Sequence, residues 1–310
     1  MAAEAGGQKM SVTFEDRSLP EVQPGSAQWM TYMTASKVSA IMKHSTYDSY
    51  LSLWLKMAGQ IQPEADDDIK RRGHYLEPAV RAWFRDQHPE WQVTETGMWV
   101  HKEIPWAAST PDGIIHTPDG TELFEAKSST LDGEWGEPLT DQIPPGYKDQ
   151  AMWQMFTTGM RRVRLAVIKS FLDFAEYIID YDAEYVSLML AEVTTFMDSL
   201  EQGKRPSLDP LDGHAATYAA IKELNPGIED DTYELDDEDA IRYLTAVNAR
   251  KAAEEIEQGA KTYIANLAGQ AHYIKWNGKS VFTRQSRKGG TPYLVASKNL
   301  PTIPEESAAA

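Results

Sequence analysis

Apolar residues recur at helical spacing in the first quarter of the chain, and from residue 92 onward the recurrence shortens toward every second position. Up to about Trp29 the chain reads as irregular, with Pro20 and Pro24 among scattered polar residues. Thr34 then stands as an N-cap before Val38, Ile41 and Met42, and a second short helix is expected over residues 47–57. A third is expected to start at residues 66–68, where Asp66, Asp67 and Asp68 suit the positive end of the dipole. Leu76, Ala79, Val80, Trp83 and Phe84 form its apolar stripe, and Pro89 marks its exit. Strands are expected over 92–100, 106–116 and 121–128, the last two joined by the turn Thr117-Pro118-Asp119-Gly120. A polar loop over 131–145 leads to a helix at 146–159, strands at 162–169 and 174–181, and a helix at 183–202. Helices, three strands, helix, two strands, helix is the order of an α+β (α/β) domain with a central mixed sheet flanked by helices.

Beyond Lys204-Arg205-Pro206 the texture changes. The expected organisation is an irregular segment over 1–30, a core domain over 31–205, an acidic linker over 206–235, and a helical arm with a basic hairpin over 236–310. In the last part Ile241, Leu244, Val247, Ile256, Tyr263, Ile264 and Leu267 predict a long helix or coiled-coil hairpin. Asn277-Gly278 predicts a β-turn within a hairpin over 273–283.

Composition narrows the chemistry. With 42% apolar and 10% aromatic residues in 310, a sizeable core can form. The chain has no cysteine, which excludes disulfides, thiolate metal sites and cysteine nucleophiles. It carries no apolar run long enough for a membrane span, and Met1 to Gln8 show no signal pattern, so a cytoplasmic location is expected. A formal charge of -17 argues against phosphate-rich partners as an average, but the charge is unevenly spread. Between Asp209 and Asp239 there are eleven acids and one base, Lys222, whereas between Gln258 and Pro304 there are seven bases and no acid. The basic block reads either as a nucleic-acid contact or as a solvated face.

The candidate chemistry lies on the expected hairpin. Asp112 sits in Ser109-Thr110-Pro111-Asp112-Gly113, read as near the middle of the strand over 106–116. Glu125 and Lys127 are two apart on the next strand and so share a face. A turn centred on Asp119-Gly120 places Asp112 opposite Lys127; a turn shifted by one residue places it opposite Glu125. In either register two carboxylates and a lysine converge. Paired carboxylates call for a cation, and hard oxygen donors at this spacing suit Mg2+ or Mn2+, the combination used to hydrolyse phosphodiesters. Each fragment alone is weak: Asp68-Ile69-Lys70 repeats the acid-x-Lys pattern, and Pro118-Asp119-Gly120 repeats the turn. Glu77, on the helix before the sheet, reads alternatively as an ordinary exposed glutamate. Gln150 and Gln154, four apart on one helix face, read alternatively as a solvated polar face.

Taken together, Thr34-Ala35-Ser36, Gly73 to Pro78, Ser109 to Gly113, Glu125 to Lys127 and Tyr147 to Met155 resemble the YqaJ-type viral recombinase nucleases. These are relatives of phage lambda exonuclease within the PD-(D/E)xK superfamily, and the resemblance covers residues 32–204. It implies a restriction-endonuclease-like core and a 5′-to-3′ exonuclease acting on ends of linear double-stranded DNA. Two Mg2+ or Mn2+ ions, a homo-oligomeric trimer or tetramer ring, and a single-strand-annealing recombination partner are implied with it, in the host bacterial cytoplasm if the protein is phage-encoded. It further implies Asp112, Glu125 and the Ala126 carbonyl as metal ligands, Lys127 as catalytic lysine, Glu77 beside the metal, and Gln150 positioning the lysine or a phosphate. Gln154, Ser36 and Thr110 would contact DNA or its terminal phosphate. Trp29 stands where the lambda enzyme has an arginine, which leaves Lys37, Arg71 or Arg72 as substitute cations. The hairpin chemistry alone also fits a sequence-specific endonuclease of the same superfamily. A non-catalytic DNA-binding subunit with an incidental acidic cluster is the reading outside enzymes.

Overall fold

The computed structural model describes residues 18–19, 22–63, 68–130 and 133–303, without the side chains of Ile69, Lys70 and Phe171. Two compact units are formed, Met1–Gly227 and Ile228–Ala310. In chain order the first contains α1 (Ala27–Met30), β1 (Met33–Thr34), α2 (Ala35–Ile41), α3 (Tyr50–Met57), α4 (Asp68–Gln87), β2 (Gln92–Thr94), β3 (Trp99–Val100), β4 (Ala107–Ser109), β5 (Gly113–Thr117) and β6 (Gly120–Ser128). It continues with α5 (Pro145–Thr158), β7 (Arg162–Ile168), β8 (Phe174–Asp180), α6 (Ala183–Glu201) and α7 (Ala215–Leu224).

The central sheet runs β2-β5-β6-β7-β8. Only β6 and β7 are parallel, as their connection through helix α5 requires. Alternation splits the sheet's side chains between two cores. Ile115, Phe124, Ala166 and Ile168 pack on Val80 and Phe84 of α4. Ile114, Leu123, Val163, Leu165 and Val167 face the other way, toward Trp153 of α5 and Val186, Met189 and Phe196 of α6. Burying one such side chain is worth about 2 kcal/mol, so a one-residue slip of β6, which exchanges its faces, would forfeit several of them. This packing therefore also dictates which face Glu125 and Lys127 occupy.

The expected class and element order hold, with corrections of detail. The strand expected over 106–116 is interrupted: β4 ends at Ser109 and β5 starts at Gly113, because Pro111 has no N–H for a ladder. Asp112 is thus in the break and not mid-strand. The stretch 92–100 splits likewise into β2 and β3, and β3 joins β4 and β1 in a separate three-stranded sheet. The helix expected from residue 47 begins at Tyr50, where Ser49 and Ser52 form a capping box. Thr34 occupies the N-cap of α2 without a capping bond; its hydroxyl meets that of Ser36 at 3.3 Å. Asp66 and Asp67 lie outside the described residues, and Asp68 opens α4. Trp135 is buried against Tyr147 and Tyr177, and Met160 is buried in the core.

The segment read as an acidic linker contains α7, which packs within the first unit. Thr217 and Ala220 are buried, the Thr217 hydroxyl donates to Ser49 Oγ at 2.6 Å, and Glu223 Oε1 accepts from the Gln62 N–H at 2.8 Å. The second unit has one long helix, α8 (Asp237–Ala268), and not a coiled-coil hairpin. After it come β9 (Tyr273–Trp276), β10 (Lys279–Gln285) and β11 (Tyr293–Ala296) in one antiparallel sheet. The hairpin turns on Asn277-Gly278, both at positive φ as expected; β11 has no counterpart among the expected elements. No helix among the described residues is long and apolar enough to cross a membrane.

Candidate active site

Thr117 pairs with Gly120 and Gly113 with Phe124, so the turn is the shifted one, and Asp112 stands where the ladder would set it opposite Glu125. Gly113 is needed here, because a Cβ would come 2.9 Å from the Thr94 carbonyl of the neighbouring strand. Beyond Gly113, β5 no longer covers the edge of β6, and the Ala126 N–H donates to Asp112 Oδ2 at 2.7 Å. A residue in a strand directs its N–H and C=O to the same side, so the Ala126 carbonyl also points toward Asp112.

Glu125 is buried and closely surrounded. Its Oε1 accepts from Lys127 Nζ and from Gln150 Nε2 at 2.6 Å, and its Oε2 accepts from Gln154 Nε2 at 2.7 Å. Both glutamines lie on α5, which Trp153 fastens by donating from Nε1 to the carbonyls of Met33 (3.2 Å) and Ala108 (3.0 Å). The same helix is anchored on its other side by buried Asp149, which contacts His44 Nδ1 at 2.9 Å and the Tyr185 hydroxyl. Gln154, expected to contact DNA, is fully buried with its amide on the Glu125 carboxylate.

Burial and the adjacent Glu125 carboxylate push the Asp112 carboxyl well above the usual range, and Glu77 adds in the same sense. Lys127 and the Ala126 N–H act against them. Burial opposes the charge of Lys127, but Glu125 and Asp112 outweigh it and hold the ammonium above its ordinary value. Its Nζ also lies 5.4 Å from the Tyr147 ring centroid. The cluster is thus short of positive charge while its one lysine stays protonated.

The donor chemistry fits a hard divalent cation. A carboxylate offers about four lone-pair sites. Glu125 uses three on Lys127, Gln150 and Gln154, and Asp112 uses one on Ala126, which leaves oxygens of both for a metal beside the Ala126 carbonyl. Among the described residues no three acidic or histidine side chains form a closed cage. An open site of two carboxylates and a carbonyl is what Mg2+ accepts, since it completes its shell with water and substrate oxygens.

Residues 27–161 match the model of the YqaJ-like viral recombinase domain. The matched segment, less than half of the chain, is similar to that domain. The matched segment contains every residue of the cluster, from Glu77 to Gln154. No curated protein sequence matches the chain. Among solved structures, the alkaline exonuclease of Laribacter hongkongensis is 21% identical, with 65% of this chain and 100% of that one covered and a TM-score of 0.45. A phage-related exonuclease from Haemophilus somnus 129PT is 11% identical, with 55% and 94% covered and a TM-score of 0.43.

The remaining candidates of the matched segment fall into two groups. β1 and β4 run parallel, Thr34 beside Ala108, so Ser36 and Thr110 leave the ladder at the same end, and both are exposed. Lys37 is only 4% exposed: its Nζ donates to the carbonyls of Trp29 and Tyr32 at 2.7 Å each and lies 3.6 Å from the Trp29 ring centroid. The cation expected to replace an arginine at position 29 therefore rests on the residue found there. Arg71 is paired with Asp68, and Arg72 is exposed. The structure adds one residue to the region. Arg81 donates to Glu77 Oε1 at 2.7 Å and to the Asp112 carbonyl at 2.8 Å. Its i,i+4 spacing from Glu77 on an expected helix is the only sign of it in the sequence.

Proposed function

We propose that this chain is a divalent-metal-dependent DNA nuclease, an exonuclease that digests one strand from the ends of linear duplex DNA, 5′ to 3′, in phage-type recombination. The observation that carries the reading is the convergence of Asp112, Glu125 and Lys127 where β5 leaves the edge of β6, inside the segment similar to the YqaJ-like domain. Asp112, Glu125 and the Ala126 carbonyl would hold Mg2+ or Mn2+. A cation there would supply the positive charge that the cluster lacks and that a phosphodiester needs as charge develops on it. Lys127, kept protonated by its neighbours, serves as a hydrogen-bond donor to an attacking water or a phosphate oxygen and not as a neutral base. Gln150 and Gln154 fix the Glu125 carboxylate, leaving it one open direction. Ser36 and Thr110, both exposed and both just past the paired ends of β1 and β4, suit the terminal phosphate. The ring-forming homo-oligomer and the strand-annealing partner belong to the same proposal and rest on the family alone.

Metal substitution tests the reading. Mg2+ and Mn2+ should support digestion of duplex DNA, while Ca2+, with its looser geometry, should permit DNA binding with little cleavage. Full digestion in the presence of a chelator would contradict it.

A further inference from the structure

Arg81 is a cation beside the cluster to which the proposed chemistry gives no task. It projects from α4, on the sheet face opposite Glu125, and its guanidinium carbon lies 5.7 Å from the Phe124 ring centroid. One nitrogen, Nη2, serves two acceptors on different elements: Glu77 Oε1 on its own helix and the Asp112 carbonyl in the break between β4 and β5. The other, Nη1, is buried without a hydrogen bond and lies 3.8 Å from Glu95 Oε1. The side chain is 11% exposed, Glu77 is 31% exposed and Glu95 is 87% exposed. A buried guanidinium with an unmet N–H is costly at an ordinary surface helix, and here its Nη2 alone joins groups from separate elements.

We infer that Arg81 is a positioning residue: by tying Glu77 to the backbone of Asp112 it sets the acids of the helix and of the strand break at a fixed separation, and so sets the affinity of the site for its divalent cation. The inference rests on the nuclease reading and adds to it a residue acting through the ligands. Asp112 belongs to a strand break, where its carboxylate accepts from the Ala126 N–H of β6, so the hold on its carbonyl limits how the carboxylate can turn. Lysine could keep the charge, but its side chain is one atom shorter than the path to Arg81 Nη2, so its ammonium falls short of the point from which both acceptors are bonded.

The test is calorimetric titration of the full chain with Mn2+, without DNA, comparing the wild type with Arg81→Lys and Arg81→Ala, alongside thermal melts and the Mg2+ dependence of duplex digestion. Loss of a residue that orients ligands costs about 10- to 100-fold in metal affinity. We expect Arg81→Lys to stay folded and to weaken Mn2+ binding by at least about 10-fold, with a matching rise in the Mg2+ needed for half-maximal rate. Added guanidinium should partly restore Arg81→Ala, which a general loss of folding would not allow. Should Arg81→Ala fail to fold, Arg81→Lys decides alone. Mn2+ affinity within about 3-fold of wild type in a folded, active Arg81→Lys would overturn the inference while leaving the nuclease reading intact. A wild type that neither binds Mn2+ nor digests DNA would overturn both.

Discussion

Lys37 is buried and Lys127 is half-buried, and their surroundings send them in opposite directions. Lys127 has two carboxylates beside it and stays charged; Lys37 has carbonyls and an indole, and burial lowers it from 10.5 to about 7 despite the distant pull of Asp48. The contrast can be tested at each lysine. Lys127→Ala and Glu125→Ala should each reduce DNA hydrolysis by more than about 100-fold, the scale for removing one electrostatic group from a transition state. Lys127→Ala is the cleaner variant, because Glu125→Ala also strands Lys127, Gln150 and Gln154 in a buried place. Near-normal rates in a folded Lys127→Ala would remove the site assignment. For Lys37, the unfolded chain keeps a proton that the folded chain gives up between about pH 7 and 10.5, so its contribution to stability rises with pH across that window. Lys37→Met should lack that rise. Melts should show the variant's advantage over wild type largest at pH 7 and shrinking toward pH 10; a constant gap would contradict the argument.

At the scale of elements, the parts governed by periodicity and turn chemistry are legible in the sequence and the parts governed by tertiary contact are not. The glutamine spacing on α5, the shared face of Glu125 and Lys127, and the Asn277-Gly278 turn all follow from local rules, and all are found. Sequence alone leaves the hairpin register open between two turns, because Pro118-Asp119 and Asp119-Gly120 are both good turn pairs; packing of Phe124 against α4 and Leu123 toward α5 and α6 selects one. The break at Pro111 is readable from proline's missing N–H, yet the apolar residues on either side mask it. α7 is hidden because it docks through Thr217 and Ala220, small residues in a stretch dominated by acids. β11 buries a single large residue, Leu294, too little for a pattern. Trp135 and Met160 lie in polar stretches of sequence and invite a surface reading; Trp135 is buried against Tyr147 and Tyr177, and Met160 belongs to the main core. Arg81 shows the same limit at the site, since its partner in the strand break is a backbone carbonyl 31 residues away.

At the scale of the whole molecule, the acidic block from Asp209 to Asp239 crosses the boundary between the two units, and the basic block does not. The seven bases between Gln258 and Pro304 all fall in the second unit, on α8, its sheet and the segments that follow. Tyr273, Trp276 and Tyr293 are exposed among them, as a surface that stacks on unpaired bases would be. Truncation after Gly227 respects the unit boundary, whereas deletion from Lys275 would cut through β9. If the second unit binds DNA, the truncated chain should still cleave short duplexes at low salt, but its binding should depend less steeply on salt. The log–log slope should fall by about 0.9 for each phosphate that the shortened chain no longer neutralises. An unchanged slope would end the proposal that this unit touches DNA.

The central claim is that an Asp112, Glu125 and Lys127 centre degrades duplex DNA from its ends. The most direct measurement follows Mg2+-dependent digestion of one DNA sequence supplied as linear duplex and as covalently closed circle, with Lys127→Ala as the control. The expected result is progressive loss of one strand of the linear form, an untouched circle, and no digestion of either by the variant. Cutting of the circle would point instead to an endonuclease, and an intact linear duplex after prolonged incubation with Mg2+ would contradict the claim outright.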